Sequence, residues 1–431
     1  MPEYRWPAPE QRRVMGRRLN RIDGMVKASG RAKYGYDIKR PGLLHAAVLT
    51  CPYASARVTN LDTSAAEATK GVTAVEVVSK PGTVIQWAGT EVAAVAAETL
   101  EIARDAVRKI KVEYEVLPHV ANEADLEKVG TRAKPAAEQV VGDPDQAFKD
   151  ADVTAEGFYG LPVITHSTWE THGQVIEWKG DQIEYWPSTQ AVSSVGPELA
   201  KMLGIPAANV HVMQEHMGIG YGSKFSCDRW GAVCARLSKA SGGRAVKLFL
   251  DRATDQMIAG NRPSHFARIR LGAKKDGTIV AWHSQSWSTG GMTGGGMPPI
   301  PYVYTKIPNR RLNHTAVQVN AGGQRAWRAP NHPQASYLTN CAIDDLAAAL
   351  KLDPLEVFKK NADYTAFPEV YRWQLDKAAE MIGWKKLWHP RGDSGKGVIK
   401  RGLGIGVGTW GGAGHPSQCR CIIHPLSLIH I

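Results

Sequence analysis

Apolar residues cluster in several short stretches near the start of the chain, which is typical of β-strands, and residues 110–116 alternate apolar with polar residues as in a strand with one buried face. Residues 98–109 instead place their apolar side chains at helical spacing. The predicted strands lie at residues 43–49, 84–87, 92–95 and 110–116. A polar, basic arm over residues 1–20 precedes these elements. The pattern therefore predicts a compact α+β domain over residues 21–121.

A second, larger unit is predicted over residues 155–425, after a linker over 122–154 that is rich in Ala, Glu, Lys and Asp. One of its helices is predicted at 196–203, with Pro197 in the first turn and Gly204 ending the helix. The other predicted elements are strands at 174–178, 183–186 and 244–249, and helices at 227–240 and 335–350.

The chain is strongly basic, with 53 Lys and Arg against 41 Asp and Glu and a net charge of +12. These charges are dispersed, and no nucleic-acid-binding motif accompanies them. A solvated surface, or a face for an acidic partner subunit, therefore explains the charge better than a nucleic acid does.

Cysteine usage and hydropathy indicate a cytoplasmic protein. The 6 cysteines are scattered without a CxxC pair, which favours free thiols and argues against an iron–sulfur cluster carried by this chain. No stretch is apolar for long enough to span a membrane, and the N-terminus has no apolar signal-peptide core.

A glycine-rich loop at residues 217–224 reads Met-Gly-Ile-Gly-Tyr-Gly-Ser-Lys. Alternating glycines allow backbone N–H groups to approach an anionic or oxo-bearing ligand. The loop is not a Walker loop, because position 223 is Ser rather than Gly, and no acidic residue follows it as in a dinucleotide-binding fingerprint. A plain turn between a strand and a helix is the alternative.

Two further segments carry candidate chemistry. Residues 325–335 set an arginine beside Trp327 and Pro330, which suits a clamp for an anion or a carbonyl group; a proline-rich turn before the following helix is the alternative. Residues 166–172 hold two histidines and a glutamate, but their spacing does not match the zinc-protease pattern, and no metal site is predicted there.

Taken together, these segments resemble the molybdopterin-binding large subunit of the molybdenum hydroxylases, the family of xanthine dehydrogenase and aldehyde oxidase. The loop at 217–224 resembles that family's GGGFGxK loop, and residues 327–334 resemble its arginine segment. The start of the family's α/β hammerhead domain is matched by residues 30–37, 41–45 and 52–56, and the start of its cofactor domain by residues 166–172 and 188–190.

The resemblance runs from about residue 20 to residue 425. It implies an α+β fold with an α/β hammerhead domain over 21–121, followed by the first, truncated part of the molybdopterin-binding α/β domain over 155–425.

The same resemblance implies a set of site residues. The backbone of Gly220, Tyr221 and Gly222 would lie against molybdopterin, or against its cytosine dinucleotide form, whose dithiolene rather than any side chain holds the molybdenum. Arg328 would orient the substrate, an aldehyde or an N-heteroaromatic compound, and stabilise charge while an oxygen from water reaches its carbon. Electrons would leave through iron–sulfur and FAD groups on partner subunits of a hetero-oligomer.

Three positions depart from the family pattern. Ile219 replaces the usual second glycine of the loop and would be costly if its φ must be positive. Ile164 stands where a glutamine commonly contacts the metal's oxo group. Phe225 replaces a substrate-binding glutamate of the xanthine-type enzymes, so xanthine is not expected as the substrate.

The end of the chain also differs from the family. No counterpart of the family's catalytic glutamate or of its later glycine-rich segments is present, so this polypeptide is not expected to turn over alone. Residues 426–431 are expected to be a non-native tail, with a genuine apolar tail as the alternative. A non-catalytic homologue that acts as a scaffold or binding module remains the alternative function.

Overall fold

The computed structural model describes residues 7–123, 126–392 and 397–410. The predicted tail over 426–431 and the end of the unit predicted over 155–425 lie outside these residues. The described β-strands are β1 (Leu44–Thr50), β2 (Ala56–Asp62), β3 (Val72–Val77), β4 (Val84–Ile85), β5 (Glu91–Ala97), β6 (Lys111–Val116), β7 (Ala133–Pro135), β8 (Gln139–Val141), β9 (Val153–Leu161), β10 (Ile164–Thr165), β11 (Gly173–Lys179), β12 (Gln182–Pro187), β13 (Val210–Val212), β14 (Val246–Phe249), β15 (Asn261–Arg262), β16 (His265–Ala273), β17 (Ile279–Thr289) and β18 (Asn309–Val317).

The α-helices connect and cover these strands. They are α1 (Gly24–Ala28), α2 (Ser64–Glu67), α3 (Leu100–Lys109), α4 (Leu126–Val129), α5 (Pro144–Lys149), α6 (Val192–Leu203), α7 (Asp228–Ala240), α8 (Arg252–Ile258), α9 (His332–Leu350), α10 (Pro354–Lys360), α11 (Pro368–Ile382) and α12 (Trp384–Leu387). None of the described helices is long and apolar enough to cross a membrane.

A sheet of seven described strands runs in the order β13-β12-β11-β14-β1-β5-β3. Its central pairing joins β1 to β14 in parallel, with Leu44 opposite Val246. Alternate residues of β5 face different cores: Ala93 and Val95 belong to the core that includes residues of α3, whereas Ala94 and Ala96 belong to the core that includes residues of α7. The sheet is therefore buried on both faces.

This sheet combines strands from both predicted units, because β1, β3 and β5 come from the first and β11–β14 from the second. The boundaries given for the two units, 21–121 for the hammerhead domain and 155–425 for the cofactor domain, remain predictions. Part of the predicted linker over 122–154 forms strands, since β7 and β8 both pair with β18.

A second sheet is ordered β7-β18-β17-β16-β9 among the described residues, with β8 also paired to β18. Helix α9 packs on it: Leu338, Ala342 and Leu346 form one core with Ile269 and Trp282. The helix predicted at residues 335–350 is thereby confirmed as α9, which begins three residues earlier, at His332. The strands of the third sheet, ordered β4-β2-β6, all lie within the first 120 residues.

The prediction for α6 was wrong at its beginning. The helix begins at Val192 rather than at residue 196, and Pro197 lies inside it. Val195 and Leu199 lie one turn apart and both are fully buried, so burial of this stripe favours the extra N-terminal turn over a start set by proline. Gly204 ends the helix in the left-handed conformation, as predicted.

Candidate functional site

The loop between β13 and α7 contains non-glycine residues in the left-handed region. Ile219 has a φ of 73° and Tyr221 a φ of 55°, followed by Gly222 at 112°. A residue with a Cβ adopts this region at a cost of about 1–2 kcal/mol, and a β-branched residue is especially unsuited to it. The loop is therefore strained at Ile219 and Tyr221, and surrounding contacts must hold it in place.

Gly220 and Gly222 have no room for a side chain. A Cβ on Gly220 would overlap with Oε1 of Gln190, and a Cβ on Gly222 would overlap with the carbonyl oxygen of Ala326. The sequence pattern predicted that these glycines let backbone N–H groups approach a ligand. The structure adds that both glycines let the loop close tightly against the protein's own groups.

Three successive N–H groups in this loop are available as donors. Those of Ile219, Gly220 and Tyr221 have no acceptor among the residues that the structure describes. The sign of φ alternates through this stretch, and successive N–H groups on such a backbone form a concave anion-binding nest. Because Gly220 is buried, its unpaired donor favours an oxygen-rich ligand at this place.

Gln190 anchors the second half of the loop. Its Oε1 accepts hydrogen bonds from the N–H of Gly222 at 2.7 Å and from the N–H of Lys224 at 3.4 Å. The N–H of Gln190 donates to the carbonyl oxygen of Lys224 at 2.7 Å. Gln190 follows the end of β12 and belongs to the segment 188–190 that the family resemblance singled out, although no role was predicted for its side chain.

Lys224 is buried beneath the loop, with 1% of its surface exposed. Its Nζ donates to the carbonyl oxygen of Glu170 and to Oγ of Ser188, each at 2.7 Å. Burial lowers the pKa of Lys224 to about 8, against the opposing attraction of Glu170. The ammonium group is thus directed into the protein rather than toward a ligand.

The arginine segment lies directly against the loop. The N–H of Arg328 donates to the carbonyl oxygen of Tyr221 at 2.6 Å. Nε2 of His166 lies 2.8 Å from the carbonyl oxygen of Ala326, and its ring lies 5.0 Å from that of Trp327. The structure therefore brings together three segments that the sequence singled out separately.

The two arginines of this segment have different surroundings. Arg325 pairs through its guanidinium with Asp228 and donates to the carbonyl oxygen of Ser223 at 2.8 Å. Arg328 is exposed, and its guanidinium has no hydrogen-bond or ion-pair partner in the part of the chain that the structure describes. Arg325 has a structural role, whereas Arg328 is free to meet a ligand.

Arg262 is an additional residue that the sequence did not indicate. It is 6% exposed, and it donates to the carbonyl oxygens of Trp327 at 2.7 Å and Arg328 at 2.9 Å. A further bond reaches Oε1 of Gln334 at 2.9 Å. Arg262 thereby fixes the backbone that carries Arg328.

The segment 166–172 supports the site through separate contacts. Burial lowers the pKa of His166. The N–H and Nδ1 of His172 both lie 2.8 Å from Oδ1 of Asp255. Oε2 of Glu170 accepts the N–H of Gly218 at 2.7 Å. His166, Glu170 and His172 therefore each contact a different neighbouring segment.

The other two departures from the family pattern lie near the same segments. Ile164 is opposite Arg262 in the β10–β15 pair and is partly exposed. Phe225 follows Lys224 directly and has 49% of its surface exposed. An apolar group therefore stands at the exposed end of the loop.

Comparison with known families gives two matches. Residues 128–362 match the molybdopterin cofactor-binding domain. Residues 29–80 match the a/b hammerhead domain of aldehyde oxidase and xanthine dehydrogenase. The first match covers more than half of the chain and includes the loop, the segment at 166–172 and Arg328.

Relatives support the same comparison. The chain is 29% identical to the aldehyde oxidoreductase molybdenum-binding subunit PaoC of Escherichia coli K12, over 93% of this chain and 58% of that subunit. It is 26% identical to the nicotinate dehydrogenase large molybdopterin subunit of Eubacterium barkeri, over 86% of this chain and 98% of that subunit. The chain thus spans little more than half the length of the E. coli subunit.

Among solved structures, quinoline 2-oxidoreductase of Pseudomonas putida 86 has a similar fold. It superimposes with a TM-score of 0.73 at 23% identity, covering 85% of this chain and 54% of that chain.

Proposed function

Because the chain belongs to the family of molybdopterin-binding subunits that includes aldehyde oxidase and xanthine dehydrogenase, we propose that it holds the molybdenum cofactor and orients the substrate of a hydroxylase. The substrate is an aldehyde or an N-heteroaromatic compound, and the oxygen that it gains comes from water. The observation that carries this proposal is the hydrogen bond from the N–H of Arg328 to the carbonyl oxygen of Tyr221. This bond places the residue with the unpaired guanidinium directly beside the loop.

The residues of the loop fit a cofactor of this kind. An anionic, oxygen-bearing group needs hydrogen-bond donors that are not already paired. The loop supplies the three unpaired N–H groups of residues 219–221, and the neighbouring carboxylate of Glu170 is already bonded to the N–H of Gly218 and the hydroxyl of Ser188. Gly220, Tyr221 and Gly222 would form the cradle. When bound, the cofactor supplies the redox chemistry that accepts two electrons from the substrate.

Arg328 would act on the substrate. Its guanidinium can donate a hydrogen bond to a carbonyl oxygen or to a ring nitrogen. Negative charge develops on these atoms as oxygen adds to the neighbouring carbon, and a cation placed beside them stabilises that charge more in the transition state than in the ground state. Arg262 and the Tyr221 carbonyl would keep the Arg328 backbone in place for this role.

The surroundings of the loop favour an apolar substrate. Phe225 offers a half-exposed aromatic ring where a glutamate would favour a purine. The names of the E. coli and E. barkeri relatives, an aldehyde oxidoreductase and a nicotinate dehydrogenase, support the same two substrate classes. We propose that iron–sulfur and FAD groups on partner subunits of a hetero-oligomer accept the electrons. The bound cofactor would be molybdopterin or, as the alternative, its cytosine dinucleotide form.

A turnover assay with isotopically labelled water tests this function. The reading frame is extended until it includes the family's catalytic glutamate, and this completed protein is expressed together with the products of the neighbouring genes. The purified protein is then given aldehydes and N-heteroaromatics with an artificial electron acceptor. We expect the product to carry heavy oxygen from water. Protein that holds molybdenum but oxidises no member of either class would favour the scaffold alternative, for which Ile164 and Ile219 would mark a lost site.

A further inference from the structure

Both ends of the glycine-rich loop are tied to one chain of polar groups behind it. At the first end, the N–H of Gly218 donates to Oε2 of Glu170 at 2.7 Å. At the last end, Nζ of Lys224 donates to Oγ of Ser188 at 2.7 Å. Oγ of Ser188 in turn donates to the same Oε2 of Glu170 at 2.7 Å. A continuous path of hydrogen bonds therefore runs from residue 218 to residue 224 beneath the strained backbone.

The backbone of Glu170 closes the path a second time. Its N–H donates to the carbonyl oxygen of Gly218 at 3.2 Å, and its carbonyl oxygen accepts from Nζ of Lys224 at 2.7 Å. A Cβ on Gly218 would overlap with the side chain of Glu170. Gly218 therefore packs directly against Glu170, and this contact sets its position.

Charge strengthens this arrangement. The carboxylate of Glu170 and the ammonium of Lys224 have the hydroxyl of Ser188 between them, and hydrogen bonds that involve a charged partner are about twice as strong as neutral ones. Ser188 and Lys224 are both buried, so water competes little for these groups. Glu170 also reaches outward, because its Oε1 accepts the N–H of Tyr36 at 3.1 Å.

We propose that Glu170, Ser188 and Lys224 are positioning residues that set the separation of the two ends of the loop and thereby hold its three free N–H groups in place for an oxygen-rich ligand. The same carboxylate couples the turn at Tyr36 to the loop. That the ligand is the molybdenum cofactor rests on the function proposed above, but the positioning of the loop does not depend on it.

Hydrogen exchange of the 431-residue chain, followed by mass spectrometry of peptides that cover residues 217–224, tests the positioning. Ser188→Ala removes the shared hydroxyl. We expect exchange of the loop amides to become about 10- to 100-fold faster, the loss that one charge-assisted hydrogen bond implies. Ser188→Thr keeps the hydroxyl and is expected to restore protection.

The matched control is Ser238→Ala. Ser238 is also fully buried, and its hydroxyl donates to the carbonyl oxygen of Arg244 at 2.7 Å, between α7 and β14. This variant should leave exchange at residues 217–224 unchanged. Glu170→Gln provides a second test that keeps the side chain's shape: its amide cannot accept from Gly218, Ser188 and Tyr36 together, so exchange should rise at Gly218 or at Tyr36.

The outcomes separate the two proposals. Unchanged loop protection in both Ser188→Ala and Glu170→Gln, or an equal loss in Ser238→Ala, overturns the positioning proposal. Selective loss of protection with rescue by Ser188→Thr supports it even if no form of the completed protein ever contains molybdenum, a result that would overturn only the proposed function. If the cofactor is bound, the completed Ser188→Ala protein should also retain less molybdenum than its Ser188→Thr counterpart.

Discussion

The N–H of Arg328 donates a hydrogen bond to the carbonyl oxygen of Tyr221, with 2.6 Å between the two atoms. Tyr221 is in the left-handed conformation, and the next residue, Gly222, also has a positive φ. The loop and the arginine segment thus share one rigid junction, at which Gly222 packs against Ala326.

Gly222→Ala should separate these two segments. The added Cβ would overlap with the carbonyl oxygen of Ala326, and the φ of 112° is itself unsuited to alanine. Gly180→Ala is the matched control, since Gly180 has a φ of 64° but open space around it. Denaturant unfolding should show a loss of about 1 kcal/mol for the control and roughly 3 kcal/mol for Gly222→Ala. Equal losses would contradict the close packing of the junction.

Ile219→Gly should stabilise the chain by roughly 1 kcal/mol, because it removes a β-branched residue from the left-handed region. The side chain of Ile219 belongs to none of the apolar cores formed by the described residues, so little packing is lost. Val303→Gly provides the contrast: its φ is 68°, but the side chain is buried in the core with α9. That variant should be destabilised. Thermal unfolding of both distinguishes strain from burial.

Arg328→Ala in the completed enzyme should lower kcat by about 100- to 1000-fold, as the loss of a group that stabilises transition-state charge does. The backbone bond to Tyr221 survives this substitution, so the molybdenum content should not change. Arg104→Ala, at an exposed position of α3, is the control and should retain activity. Unaltered turnover by Arg328→Ala would remove Arg328 from the proposed site.

Lys224 should contribute a specific pH dependence to stability. Burial lowers its pKa from the usual 10.5 to about 8 in the folded chain. Between these two values the unfolded chain binds more protons, so the free energy of unfolding rises with pH across this window and is lower below it. The difference between the original chain and Lys224→Met should therefore increase by up to about 3 kcal/mol between pH 7.5 and 10.5. A flat difference in denaturant titrations would contradict a buried ammonium.

Much of the fold could be predicted because short-range periodicity carries it. The helical spacing at 98–109 and 335–350 and the alternation in 110–116 correspond to α3, α9 and β6. The parallel pairing of Leu44 with Val246 could not be predicted, since it joins residues 202 positions apart and depends on packing on both faces of the sheet.

The site shows the same division. The glycine spacing and the arginine segment identified Tyr221 and Arg328 as candidates. The sequence also indicated that Ile219 would be strained if its φ were positive, and its φ is positive in the structure. Arg262 had no such signal, and Gln190 stood out only as part of the segment 188–190. The role of either side chain depends on the backbone groups that the fold places around it.

The most direct test of the central claim is the molybdenum and pterin content of the completed protein, purified from a host that makes the cofactor and loads a control enzyme. We expect one molybdenum and one pterin per chain, and a marked loss of both in Gly222→Ala but not in Gly180→Ala. Absence of both from the unaltered protein would contradict the account and favour a scaffold that has lost the site.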